Sequence, residues 1–318
     1  MTTPPSLACV LVTDTYATLR PMVARLLSQP GPHRLELIVV ANRGGLAGID
    51  APELRSFDRV HGIELESTVQ MHVARAVGVR AALSPLVFIG ETHCFPCEGW
   101  LDATLKAFDG PCSILVPSVT NGCPRGLFGW AGYIMDYSRR RPEQPPEKFA
   151  GGIGYNAAYR THLLLALGDR LDAALNHHEE RLFADLQSQQ PRILFEPAAR
   201  LCHVGVTLFI PSLRERLFVG LILGDARARR WPIHRRILYS LAFPLIAAVL
   251  FTRELPGARH AISRGQTSVA VLPIVLLICL TKSIGEAWGY LFGCPEWAHS
   301  GEADIEIQRL RYARGFTQ

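Results

Sequence analysis

The chain has 318 residues, 48% of them hydrophobic and 19% charged, and a formal net charge of +5. That length accommodates one large α/β domain and a smaller appendage. The small charge excess, without aromatics interleaved among the arginines, argues against a nucleic-acid surface. Its basic residues gather instead around an apolar tail, at Arg227, Arg229, Arg230, Arg235, Arg236, Arg253, Arg259 and Arg264, a placement suited to anionic lipid headgroups.

Leu7 to Thr13 is a continuous apolar run and reads as a buried parallel strand. Ala17 to Gln29 has helical spacing and is stopped by Pro30-Gly31-Pro32. Leu35 to Ala41 is a second strand, Arg59 to Leu65 a third, Val69 to Leu83 a helix, and Leu86 to Ile89 a fourth strand ending at Gly90-Glu91-Thr92-His93. Trp100 to Phe108 reads as a helix and Cys112 to Val119 as a fifth strand. The alternation predicts a parallel, doubly wound sheet. Ligands of such sheets bind beyond the carboxyl ends of the strands. That rule singles out Thr13 and Asp14, Ala41 and Asn42, and residues 90–93.

Arg139 to Lys148 is charged and proline-rich and reads as an exposed loop. Helices are expected over Asn156 to Leu167 and Asn176 to Gln189, then two short strands, Ile193 to Phe195 and Arg200 to Val204. In the tail, Arg214 to Trp231 has the pattern of an interfacial amphipathic helix. Two uncharged stretches follow, Ile237 to Phe251 with Pro244 and Ser268 to Thr281 with Pro273. Both fall short of the ~20 residues a straight membrane span needs. Two short spans, a monotopic hairpin and a soluble hairpin packed on the first domain all remain open.

Eight cysteines are present, and Cys94-x-x-Cys97 lacks a second pair at zinc-binding spacing. The pair reads as small residues of a reducing compartment rather than a redox motif. Met1 to Ser6 is short and polar, unlike a secretory signal, so the catalytic part is expected in the cytoplasm.

Glu91 and His93 carry the chemistry. A carboxylate and an imidazole two residues apart at a strand end can share one divalent cation, and oxygen–nitrogen sites suit manganese or similar metals. His203, at the end of a predicted strand, is the candidate third ligand. A metal there can neutralise charge that develops on a leaving diphosphate. Asp14 can either hydrogen-bond ribose or base, or cap the helix beginning near Ala17. Arg125 and Arg160 suit phosphates or an anionic acceptor, or are surface arginines.

Over roughly residues 7 to 205 the sequence resembles family 2 glycosyltransferases. Val10-Leu-Val-Thr-Asp-Thr-Tyr16 is similar to their first strand and nucleotide-contacting turn. Ala74-Arg75 through Gly78 to Ala82, leading to Leu86-Val-Phe-Ile-Gly-Glu-Thr-His93, resembles the passage that ends in Asp-x-Asp. Pro96-Cys-Glu-Gly-Trp100, Gly151-Gly-Ile-Gly-Tyr-Asn156, His178-Glu179-Glu180-Arg-Leu182 and Phe195-Glu-Pro197 to His203 resemble later segments in the family's order. Ser283 to Gly293 resembles a segment that follows the membrane stretches of exopolysaccharide-type members, and Glu286 within it is read as structural.

The resemblance implies an α/β fold of the GT-A type, a nucleotide-sugar-binding, doubly wound mixed sheet followed by a helical, membrane-associated C-terminal tail. The implied domains are 1–208 for catalysis, 209–235 as an amphipathic interfacial helix, 236–293 as an apolar membrane-associated hairpin and 294–318 as a polar tail. It implies an inverting hexosyltransferase-like enzyme of polysaccharide or cell-envelope assembly, using Mn2+ or Mg2+. Sugar would pass from a nucleotide-diphosphate donor to a glycan or lipid-linked acceptor at the membrane, with lipids but no nucleic acid as partners. Glu179 or Glu180 would be the base, with Glu179 slightly preferred by its offsets to Leu182 and Leu186. Thr13, Asp14, Asn42, Arg75, Gly90 and Glu91 would contact the donor, Gly152, Asn156 and Trp100 the acceptor, and Glu91, His93 and His203 the metal.

Two departures stand out: Glu91-x-His93 replaces Asp-x-Asp, and Ala41-Asn42 replaces the acid that contacts the base. They leave a catalytically inactive, glycan-binding or scaffolding domain as the main alternative. A nucleotidyltransferase lacks its glycine-rich phosphate loop here, and a metal hydrolase lacks a water-activating partner.

Overall fold

The computed structural model describes residues 6–31, 34–66, 70–149, 153–176, 178–229 and 231–316, with side chains throughout except at 176 and 178–181. Contacts divide the chain into two compact units, one of residues 1–120 and 140–202, the other of residues 121–139 and 203–318.

The first unit follows the expected alternation: β1 (Leu7–Thr13), α1 (Tyr16–Leu27), β2 (Leu35–Asn42), β3 (Arg59–Leu65), α2 (Met71–Ala81), β4 (Leu86–Ile89), β5 (Cys94–Pro96), α3 (Trp100–Phe108) and β6 (Ile114–Asn121). After α4 (Leu127–Tyr137), which belongs to the second unit, come β7 (Ala157–Arg160), α5 (Thr161–Leu165), α6 (Leu171–Asn176), α7 (His178–Leu186) and β8 (Ile193–His203). The sheet has eight strands in the order β3-β2-β1-β4-β7-β6-β8-β5. Strands β1 to β4 run parallel to one another, while β7 pairs antiparallel with both β4 and β6. The sheet is therefore mixed rather than wholly parallel.

Why β1, β2 and β4 are strands is plain from their burial. Every residue of Leu7–Thr13 and Leu86–Ile89 is buried, as is Leu35–Ala41. Such runs are stable only between two covering layers. A carboxylate lies inside this core. Glu36 is fully buried, and its Oε2 accepts from the Leu83 and Ser84 amides at 3.0 and 2.9 Å and from Ser84 Oγ at 2.8 Å. This fixes the turn that launches β4. Thr161 fastens the same turn from the other side, its Oγ1 donating to the Ser84 carbonyl at 2.8 Å.

Three local expectations are corrected. Asn156 to Leu167 is not one helix: Ala157–Arg160 pairs as β7 between β4 and β6, and only Thr161–Leu165 is α-helical. Neighbouring strands offer these backbone groups a full set of partners, which outweighs alanine's helical preference. The expected pair of closing strands is one long strand, β8. The expected helix over 176–189 is α7, with its last turn a 3-10 turn at Gln187–Gln189, and a separate short helix, α6, precedes it.

The second unit is helical: α4, then α8 (Phe209–Ala228), α9 (Ile233–Leu241), α10 (Phe243–Ser263), α11 (Val271–Phe292) and α12 (Glu296–Ile307). Its central contact is between α8 and α11. Gly220 and Gly224 on α8 meet Gly285 and Gly289 on α11, so that the two backbones touch. Phe218 and Leu221 on α8, expected at a lipid interface, are instead 7% and 2% exposed and packed with Ala298 and Ile305. Glu286 is 1% exposed, 3.0 Å from Arg227 and 2.8 Å from the Tyr290 hydroxyl that donates to it. Those partners are why a carboxylate is tolerated inside an apolar helix. The apolar stretch from Ile237 to Phe251 is not one helix either. It breaks between α9 and α10 with a 63° bend, just before Pro244 in the first turn of α10.

Candidate active site

Strand β4 ends at the level of Val10, three residues before β1 does. This leaves a step beside the carboxyl end of β1, and residues 90–93 turn into it. Gly90 makes the turn possible. Its amide donates to the Val10 carbonyl at 3.0 Å, and a Cβ there would lie 2.7 Å from the Phe88 ring and 2.8 Å from Leu11. Gly90 is thus needed for close packing at the strand end.

Beyond the glycine, Glu91 is 9% exposed and His93 1%. Their Oε2 and Nε2 are 3.4 Å apart. His203, the last residue of β8, is 4% exposed. Glu91, His93 and His203 each offer a ligand atom, and the three atoms all lie within 4.8 Å of one another. Two ligands of one small cation sit about 3 Å apart when each bond is about 2.1 Å. This buried set of one oxygen and two nitrogens therefore fits a divalent ion of the manganese type.

Asn156 holds Glu91 in place. Its amide nitrogen donates to Glu91 Oε2 at 2.6 Å, and its Oδ1 accepts from the Glu91 amide at 3.2 Å. Asn156 is fully buried at φ +54, a left-handed conformation that asparagine tolerates better than most residues, and its own amide donates to the Ile89 carbonyl at 2.7 Å. The residue expected to face an acceptor is a partner of the Glu91 carboxylate, tying β4 to β7.

Several buried groups in the two units were placed elsewhere by the sequence reading or missed. Arg140, assigned to an exposed loop, is 4% exposed, and its Nη1 donates to the Tyr155 carbonyl at 3.1 Å. Arg75 is 3% exposed, with its guanidinium 3.5 Å from the centroid of the Tyr155 ring. The Tyr155 hydroxyl donates in turn to the Leu175 carbonyl. The Tyr137 ring lies 4.5 Å from that of His203. Beside Tyr137, Asp136 is gripped by Arg216 through two bonds of 2.7 and 2.6 Å. Burial pushes the Asp136 carboxyl up, but the guanidinium outweighs it and holds the pKa below the usual carboxylate range. A serine followed by three arginines looks solvated in sequence, which is why Arg140 was missed.

The other expected positions divide. Thr13 is buried, and its hydroxyl donates to the Thr15 carbonyl at 2.9 Å. Asp14 is not the cap of α1; Thr15 Oγ1 takes that role, accepting from the Thr18 amide at 3.3 Å. Asn42 closes a turn whose Gly45 amide donates to its carbonyl at 2.8 Å. An acid does stand beside this turn: Glu64, in register with Ala41, accepts from the Gly44 amide at 2.6 Å. Trp100 is corrected outright. It is fully buried, edge-on to Phe88 at 5.0 Å, and belongs to the core rather than to an acceptor surface. Arg160 is not a phosphate ligand here; it donates to the carbonyls of Cys112, Phe108 and Gly110. Gly152 lies outside the described residues, as do the side chains of Glu179 and Glu180, whose backbone forms the first turn of α7. Burial raises the Cys94 thiol well above its usual pKa, aided by Glu91, and raises Cys97 as well, so neither is poised as a thiolate.

No family model and no curated protein sequence matches the chain. Solved structures do. The chain has the fold of a mannosyltransferase from Pyrobaculum calidifontis, PcManGT, in complex with GDP-Man and Mn2+. That match has a TM-score of 0.55 at 15% identity over 92% of this chain and 88% of the other. A second similar structure is S. aureus TarS (residues 1–349) with UDP-GlcNAc, at a TM-score of 0.45 and 13% identity over 94% of this chain and 91% of the other. The architecture is thus α/β and GT-A-like, with a mixed eight-stranded sheet and a helical C-terminal region.

Proposed function

We propose that the protein is a glycosyltransferase that moves a sugar from a nucleoside-diphosphate donor to a glycan or lipid-linked acceptor. The observation that carries this reading is the buried Glu91, His93 and His203 cluster at the end of β4, in a fold shared with a mannosyltransferase that binds GDP-Man and Mn2+. These three residues would hold the divalent ion, which when bound supplies Lewis-acid neutralisation of the leaving diphosphate.

Asn156 fixes the Glu91 carboxylate so that it need not reorganise during the reaction. Asp14, Asn42 and Glu64, at the carboxyl ends of β1, β2 and β3, would contact the nucleoside, a reading supported by the rule that ligands bind beyond strand ends. Glu179 or Glu180 takes the proton from the acceptor hydroxyl, giving the inverting outcome of family 2 enzymes. Residues 1–208 form the catalytic part, and those after it hold the enzyme at the cytoplasmic face of a membrane, as polysaccharide or cell-envelope assembly requires.

The test is a thermal-stability panel of GDP, UDP, ADP, CDP and TDP on the purified chain, with and without Mn2+. One nucleotide is expected to stabilise the protein only with the metal, by about 2.7 kcal/mol at 100 times its dissociation constant. No metal-dependent shift with any nucleotide would reject a donor site and favour a scaffolding or glycan-binding domain.

Asn156 gives a second expected result. Asn156→Ala should weaken Mn2+ binding about 10- to 100-fold in calorimetric titration, the usual effect of losing a ligand's partner. Asn156→Gly, which relieves the positive φ but also lacks the amide, should weaken it equally. Recovery in the glycine variant would show that backbone conformation, not the hydrogen bond to Glu91, is what matters.

A further inference from the structure

Among the described residues, the second unit has one face whose apolar side chains are left exposed. On α11, Leu276, Ile284, Trp288 and Phe292 are 38, 49, 55 and 70% exposed, and half-buried Leu280 lies between the first two. Their spacing of four residues makes them one stripe along the helix. The stripe continues onto α9 and the start of α10, where Ile233, Leu238, Leu241 and Leu245 are 62, 63, 75 and 66% exposed. Ser240 Oγ donates to the Ala287 carbonyl at 2.8 Å, which places the end of α9 that carries Leu241 beside the turn of α11 that carries Trp288. An apolar face this extensive marks an interaction site.

Charge identifies the partner. From Trp231 to Arg264 there are five arginines, at 235, 236, 253, 259 and 264, and a single acid, Glu254, which is 8% exposed and paired with Arg139 at 3.1 Å. Arg235 lies 4.2 Å from the Trp231 ring centroid and 5.5 Å from that of Tyr239. Arginine joined to aromatic rings at the rim of an apolar face matches a headgroup region that is anionic above and hydrocarbon below.

By length and composition α11 could cross a membrane, and 39% of its most apolar window is buried. Its inner face argues otherwise. It is held backbone to backbone against α8, and along that contact lie Arg227, Glu286, Asp225 and Lys282. Crossing would carry these charges and the rest of α8 into hydrocarbon.

We propose that the exposed faces of α9, early α10 and α11 dock in the plane of an anionic phospholipid bilayer, with the stripe immersed and the arginines at the headgroups. Docking rests on the membrane side of the reading above and is independent of whether the metal cluster turns over a sugar nucleotide.

The experiment is flotation of the full chain with vesicles of phosphatidylcholine alone or with added phosphatidylglycerol. Anionic vesicles should bind at least about tenfold more tightly, with a loss of binding in high salt. The double variant Leu241→Asp, Ile284→Asp should lose at least about tenfold in binding while keeping its nucleotide- and metal-dependent thermal shift, because both positions are exposed. Equal, salt-independent binding to both vesicles would overturn the anionic partner. Loss of self-association in gel filtration, with vesicle binding unchanged, would assign the face to a second copy instead. Depth settles the orientation: Trp288, and Leu276→Trp in a Trp288→Phe background, should be quenched equally by shallow brominated lipids. A spanning helix would separate those depths by about 18 Å, and such a difference would overturn in-plane docking.

Discussion

His93→Ala is expected to lose the Mn2+-dependent stabilisation by nucleotide and to reduce sugar transfer at least about 100-fold, a barrier increase of about 2.7 kcal/mol. Glu91→Ala and His203→Ala should match it, because the three candidate ligand atoms lie within 4.8 Å of one another and would serve one ion. Double variants should then be little worse than single ones, since groups that act as a unit lose their effect together. The imidazole is buried, so truncation will also lower stability through lost packing. The decisive comparison is the difference between melting with and without metal, which packing loss leaves intact and ligand loss removes. A metal-dependent shift of wild-type size in His93→Ala would reject the cluster as the donor metal site.

The second large effect belongs to the glycine contact between α8 and α11. A Cβ on Gly285 would lie 2.4 Å from the Leu217 carbonyl oxygen, and one on Gly220 would lie 2.2 Å from that of Lys282. The obstacles are backbone atoms, which cannot swing aside as a side chain can. Gly285→Ala should therefore destabilise the second unit by about 1–3 kcal/mol or more, and Gly285→Leu should prevent its folding. Gly265→Ala, in an open turn at φ +66 with nothing near its absent Cβ, should cost only backbone strain. Urea denaturation followed by tryptophan fluorescence distinguishes the cases. Equal midpoints for Gly285→Ala and wild type would mean that the helices are not in backbone contact.

What the sequence discloses follows from how local each cause is. Strands β1, β2 and β4 are uninterrupted apolar runs, so both their existence and their direction were legible, and the strand-end rule led directly to Glu91 and His93. His203 was legible as the close of a late strand. Strand β7 was not, because Ala157–Arg160 is extended only by virtue of partners on β4 and β6. The role of Asn156 follows from that pairing and was hidden with it. Trp100 shows the opposite error, since a tryptophan after a glycine suggests a binding surface while its ring is spent on Phe88. Arg140 and Arg216 escaped because burial of an arginine is decided by distant carbonyls and carboxylates that local spacing does not reveal.

Strand β7 sits between β4 and β6 although both precede it in the chain. As the polypeptide leaves the ribosome, β1 to β4 can associate early, bringing Glu91 and His93 with them, while the middle of the sheet stands open. Asn156 emerges 65 residues after Glu91, and His203, at the end of the last strand, later still. Domains condense as units during synthesis, and long-range pairings are slow to close. An ion held by Glu91, His93 and His203 would therefore not be a nucleus around which this chain collapses. It would instead close a site on strands already paired, and a product ending before β8 would lack His203, the third of its ligands.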